Sequence, residues 1–264
     1  PGVSPGRSSA GGLARRLAVS SISIRAWLAC CLASFATVAA AAEPPVGYLL
    51  VSGWYKDRGV QRDYQRAVTP VLRAHGYETA LVAGRGYDAQ VIEGDWVAPD
   101  ALLLLKFPTE KQVKSFWWSA EYQEVRRIRA GASLLDVLQL DGVPGVRPRM
   151  DGRSAYLMFL ADLKDRQRFL EQYAPHAPGV VHAHGGEFLI RASQAESELF
   201  EGVHLPGSLI VVEFPDAASL QRFWNSDEYR RLSEVRKATG KWSVVRWLPT
   251  ASAVAPAVPA SPSP

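Results

Sequence analysis

The sequence predicts an α+β chain: two tandem βαββαβ units, each a four-stranded antiparallel sheet with both helices on one face, packed sheet to sheet. That element order is the ferredoxin-like sandwich. Three observations lead to it. Residues 116–129 read FWWSAEYQEVRRIR and residues 223–236 read FWNSDEYRRLSEVR, with six of fourteen positions identical. Around that phrase the repetition continues: ALLLLKFP (101–108) matches SLIVVEFP (208–215), and GYLLVSGWYKDR (47–58) matches AYLMFLADLKDR (155–166). A period of this length marks a duplicated domain rather than a solenoid. Finally, ALLLLKF and SLIVVEF are apolar on both sides of the strand, which demands cover on both sheet faces. Helices cover one face, and the other copy is the simplest cover for the second.

Taken in order, short β-rich apolar runs predict strands at 47–54, 77–83, 101–107 and 134–140. The second copy repeats them at 155–162, 186–192, 208–214 and 242–248. The second helix of each copy has the clearest local signals. Thr109 with Gln112 suggests a capping box, and Asp216 is a good N-cap. Val113, Phe116 and Trp117 then fall at i, i+3 and i+4, as do Leu220, Phe223 and Trp224, one apolar stripe against a sheet. Ser119 and Ser226 break the pattern and restart it as new N-caps, with Glu121 and Glu228 in the first turn. The copies thus occupy 46–140 and 154–249, joined by DGVPGVRPRMDGR (141–153), a linker rich in Gly, Pro and Arg.

The ends have a different character. Residues 1–42 contain four arginines and no acid, then the apolar run AWLACCLASFATVAAAA, the pattern of a secretory signal cleaved after Ala42. Arg15-Arg16 leaves twin-arginine export as a weaker alternative to the general route. The expected destination is the periplasm or the medium, with no stable membrane insertion once the segment is removed. The formal charge of +4 belongs wholly to that segment, so a nucleic-acid partner has no support. Both cysteines, Cys30 and Cys31, lie there too, which leaves neither disulfide nor thiol in the remainder. The uncharged tail, 250–264, is too rich in Pro and small residues to pack.

Glu201-Gly202, Pro206, Glu213-Phe214-Pro215, Phe223-Trp224, Ser226, Glu228-Tyr229 and Arg236 resemble the motif of a bacterial family, the domain of unknown function 1330. The first copy carries it as Glu93-Gly94, Pro99, Phe107-Pro108, Phe116-Trp117, Ser119, Glu121-Tyr122 and Arg129. The resemblance spans both copies. It implies a dimeric α/β barrel, similar to small antibiotic-biosynthesis-type monooxygenases, with one chain acting as its own pseudo-dimer, and it implies no established activity. Only the second copy keeps the family's Gly-Gly turn and strand arginine, as Gly185-Gly186 and Arg191; the first has His75-Gly76 and Val82, and Lys106 in place of Glu213. The second copy is therefore the better place for a site.

Four groups of residues are candidates. Arg191 and Glu213 sit on strands and could line the cleft between sheet and helices, holding a ligand's polar end while Phe223 and Trp224 form aromatic walls; the alternative is an ion pair across two strands. Tyr229 packs inward with its hydroxyl bonded, while Glu228 and Arg236 serve capping and ion pairing. Tyr229 and His184 are weak candidates for a catalytic base. His182 and His184 would share a face if extended, a weak metal candidate, but nothing completes a known ligand spacing, and no cofactor is expected. The leading expectation is a protein binding a small, partly apolar molecule. The alternatives are a cofactor-independent oxygenase or isomerase, by analogy of fold, and a structural envelope module without ligand.

Overall fold

The computed structural model describes residues 43–82, 87–97, 99–204 and 206–250. The stretch read above as an export signal (1–42), residues 83–86 and the tail beyond Thr250 lie outside the described residues. The first copy contributes β1 (Gly47–Tyr55), α1 (Arg58–Ala74), β2 (Thr79–Val82), β3 (Tyr87–Glu93), β4 (Ala101–Phe107), α2 (Glu110–Trp117), α3 (Ala120–Arg126) and β5 (Ser133–Asp141). The second contributes β6 (Ala155–Leu163), α4 (Arg166–Arg168), a π-helical turn over Phe169–Tyr173, α5 (Ala177–Ala183), β7 (Glu187–Ser193), β8 (Ser197–Glu201), β9 (Ser208–Phe214), α6 (Ala217–Asn225), α7 (Asp227–Lys237) and β10 (Gly240–Pro249).

The two sheets run β2-β4-β1-β5-β8 and β3-β10-β6-β9-β7. Each therefore has five strands where the sequence pattern predicts four, and the fifth comes from the other copy. β3 pairs antiparallel with β10, and β8 with β5. These segments, YDAQVIE and SELFE, are polar and exposed on one face, so they lack the apolar run by which the other strands are recognised.

Between the sheets lies one shared core. Tyr48, Leu50, Leu104, Leu138 and Leu140 from the first meet Tyr156, Met158, Leu189, Val211 and Trp247 from the second. Each sheet's outer face packs its own helices, around Phe107, Phe116 and Trp117 in one copy and Phe214, Phe223 and Val244 in the other. Fully burying one such side chain is worth about 1.5–3 kcal/mol. The sheet-to-sheet packing is as predicted.

The caps explain where the repeated phrase bends. Ser119 Oγ accepts from Tyr122 N at 3.1 Å and Ser226 Oγ from Tyr229 N at 3.2 Å, so each serine ends one helix and starts the next. Asp216 caps α6 through Ser219 N at 2.6 Å. Thr109 departs from expectation: its hydroxyl bonds the Gln112 side chain and caps no backbone amide.

Gly94 and Gly202 hold the exchanged strands in place. Both have positive φ, +85° and +98°, and a Cβ on either would lie 2.2 Å from Trp242 O or 2.1 Å from Asp136 Oδ1. Only glycine lets the chain turn while passing so close to the other copy's last strand. Asp136 in turn accepts from Val203 N and His204 N at 2.9 and 3.0 Å, fastening the loop after β8.

Candidate functional site

The conserved-looking ends of the phrase meet across the two copies. Glu201, at the end of exchanged β8, receives Arg129 Nη1 at 2.6 Å and Nη2 at 2.7 Å, together with Arg126 Nε at 2.8 Å. Glu93, at the end of exchanged β3, receives Arg236 Nη2 at 2.7 and 2.8 Å. Burial by itself would raise the Glu201 carboxyl, but the hydrogen bonds and charges of Arg129 and Arg126 hold it below the ordinary range. Sequence reasoning assigned Arg236 to pairing near Glu228; Glu228 instead stands 4.0 Å from Arg231. The repeated Glu-Gly and terminal Arg were visible signals, but their meeting depends on a strand exchange the polar segments conceal.

Around this pair the two copies diverge. In the first, Arg129 Nη2 also donates to Tyr122 Oη at 3.2 Å, Tyr122 bonds Tyr64 Oη at 3.2 Å, and Arg129 Nη1 reaches Ser133 Oγ at 3.4 Å. Only Nε of that guanidinium lacks a partner. In the second, Arg236 is fully buried, yet its Nε and Nη1 and the Tyr229 hydroxyl have no hydrogen-bond partner among the described residues. The Tyr229 hydroxyl was expected to be bonded. Two local changes remove partners that the first copy has, one of the arginine and one of the tyrosine. Gly240 stands where the first copy has Ser133. Tyr64 lies seven residues after its cap Asp57, whereas Tyr173 lies eight after its cap Asp165, and the π turn over Phe169–Tyr173 absorbs the extra residue.

That turn also breaks the helix that is continuous over α1 in the first copy, and a cleft opens between it and the sheet. The cleft occupies about 390 Å³ including its solvent-open mouth. Phe159, Phe169, Tyr173, Phe188 and Phe223 line it, and Arg191 is the one charged side chain on its wall. The Arg191 guanidinium lies 4.9 Å from the Phe188 ring centroid, a cation–π contact. Burial pushes the Tyr173 phenol up to about 12, with Arg236 and Arg191 opposing and Glu93 adding to the rise.

Glu213 does not join Arg191. A β-bulge between Phe188 and Ile190 shifts the β7–β9 register, so Arg191 stands opposite Ile210 on the helix face. Glu213 lies on the sheet-to-sheet face, where Arg149 N donates to both carboxylate oxygens at 3.0 Å and Tyr156 Oη donates at 3.2 Å. Burial raises its carboxyl, opposed by the hydrogen bonds and charge of Arg149. One extra residue in a strand flips every later side chain, and no sequence pattern at 187–193 reveals it. Lys106, its counterpart, pairs with Glu78.

The remaining candidates disperse. Phe223 lines the cleft, whereas Trp224 packs against Tyr229 in a tilted contact, 5.2 Å between centroids. His182 and His184 flank the end of helix α5 rather than lying on an extended strand, so they do not share a face. His182 Nε2 is 3.5 Å from Glu187, and His184 Nδ1 lies 2.9 Å from Val180 O. Burial drives the Tyr229 phenol far above its ordinary range, which leaves it a hydrogen-bond donor rather than a base.

Fold and repeat together define a single-chain dimeric α/β barrel whose two halves exchange edge strands. A family profile described as Domain of unknown function (DUF1330) matches residues 46–143 and again 154–246. The chain belongs to that family, in two tandem copies. Compared by sequence with curated proteins, it finds no match. Among solved structures it is similar to an anthrone oxidase-like protein (10% identity over 78% of this chain and 91% of that one, TM-score 0.45). It is similar too to DyPB from Rhodococcus jostii (10%, 82% and 97%, 0.44) and to a mutant chlorite dismutase from Candidatus Nitrospira defluvii (7%, 78% and 91%, 0.42). Likeness at this level carries no argument about chemistry.

Proposed function

We propose that the chain is an exported protein that binds one small, partly apolar molecule in the sheet–helix cleft of its second copy. The observation that carries this reading is the asymmetry of the copies: the same phrase closes the first helix layer and leaves the second with an aromatic cleft walled by one arginine. An apolar pocket with few polar groups is the usual form of a small-molecule site. Binding is favoured over proton-transfer chemistry because the cleft's titratable wall residues are Arg191 and a Tyr173 held near 12. Export rests on the sequence of residues 1–42, and one chain supplies both halves of the barrel.

Native against denatured mass spectrometry tests the reading, on protein purified from a periplasm without metal-affinity steps. The expected result is a chain of residues 43–264 carrying an extra mass that denaturation releases, and Arg191→Ala should reduce its retention. A bare chain that also gains no mass from periplasmic extract would contradict it.

A further inference from the structure

Resting on that reading, we infer that the molecule bound is an aromatic monoanion, a ring bearing one carboxylate or an equivalent acidic group, with the anion on Arg191 and the ring among the phenylalanines. Charge complementarity carries this. Arg191 forms no ion pair among the described residues, although eleven other arginines do so within 4.0 Å. It has no acidic neighbour on the cleft wall, and its contact is with an aromatic face. An arginine fork in that setting suits a planar carboxylate, which two parallel N–H groups can grip.

The groups behind the wall place one further charge pair near it. Tyr173 on the cleft wall feels the positive charges of Arg236 and Arg191 and the opposing negative charge of Glu93. Arg236 lies beneath, its Cζ 5.5 Å from the Phe159 centroid and 5.0 Å from Trp242, and Glu93 engages only its Nη2. Glu93 already offsets Arg236, so Arg191 is the cationic group at this wall without a carboxylate partner, and a lone positive charge beside an apolar wall of low polarisability attracts an anion and disfavours a cation. In the first copy the corresponding layer is taken up by the Tyr64–Tyr122 hydroxyl pair and the Glu201 clasp. The planar walls select the ring, since Phe159, Phe188 and Phe223 present faces and edges suited to stacking.

The test is a matched pair of probes on residues 43–264, benzoate and benzamide, which share a ring and differ in charge. Saturation-transfer NMR titrations give both affinities for the wild type and for Arg191→Gln. The expected result is benzoate at least tenfold tighter than benzamide, with the preference lost in Arg191→Gln and restored in part by Arg191→Lys. Equal binding of the two probes overturns the anion inference and leaves a neutral apolar ligand, so the proposed function stands. A benzoate preference that survives Arg191→Gln also overturns it, by placing the anion elsewhere. If neither probe binds and the extra mass is absent as well, both readings fail together.

Discussion

The two helix layers of this molecule were written from one phrase and finished differently. In the first copy Tyr64, Tyr122, Arg129, Ser133 and Glu201 form a connected polar network under a continuous helix. In the second, Tyr229, Arg236 and Glu93 retain the same positions, but the helix above breaks at a π turn and three donor atoms are left without partners. An unsatisfied buried donor costs about 1–3 kcal/mol, so the second copy is the less stable arrangement of nearly the same residues. The comparison teaches where a duplicated fold has room for function: in the half whose polar groups are not consumed by its own structure.

The sharpest way to break this comparison is to cut the two charge clasps that join the halves. Glu201→Ala strands two arginines and Glu93→Ala one, so urea denaturation should show losses of about 3–5 kcal/mol for each, the former larger. The pH dependence sharpens it. Because Glu201 is held below the ordinary glutamate value of 4.5, its contribution is present above that pH and lost as pH falls through the lowered value. The gap between wild type and Glu201→Ala should therefore be full at pH 7 and shrink below about pH 4.5. A gap that widened on acidification would mean the carboxylate is not clasped.

Next in size are the crossings of the exchanged strands. Gly94→Ala and Gly202→Ala each impose a Cβ on a positive φ and against the other copy, at about 1–3 kcal/mol. Thermal unfolding should show both destabilised by similar amounts, since the exchange is reciprocal. A tolerant Gly94 would indicate that β3 is held more loosely than β8.

The smallest effect concerns the cleft itself. Arg191→Ala removes an exposed, unpaired side chain and should change stability by no more than about 0.5 kcal/mol. Under the proposed function its consequence would fall on ligand retention. A large loss of stability would mark Arg191 as structural and remove it from the site.

Much of this architecture was legible in the sequence, and the reasons are physical. Strands buried on both faces, such as ALLLLKF, announce themselves by unbroken apolar runs, and Ser119, Asp216 and Ser226 announce their caps by type and spacing. The exchanged strands β3 and β8 did not, because their polar composition is that of an edge rather than a core. The site was half legible. Arg191 and Phe223 do lie on the cleft wall, since a strand arginine and a helix-stripe aromatic have readable positions. The separation of Glu213 from Arg191 was not legible, because a single bulge residue decides it. Neither were Phe169 and Tyr173, whose place depends on a π turn that no periodicity signals.

The central claim is that the polar layer is satisfied in the first copy and unsatisfied in the second. Chemical denaturation of Tyr122→Phe and Tyr229→Phe, side by side without added ligand, tests it most directly. Tyr122 loses hydrogen bonds to Tyr64 and Arg129, so its variant should be less stable by about 1–2 kcal/mol. Tyr229 has only Arg236 within reach and no bond of good geometry, so its variant should lose clearly less than Tyr122→Phe. Equal losses in both would show that the two halves are satisfied alike, and the asymmetry on which the binding site rests would be gone.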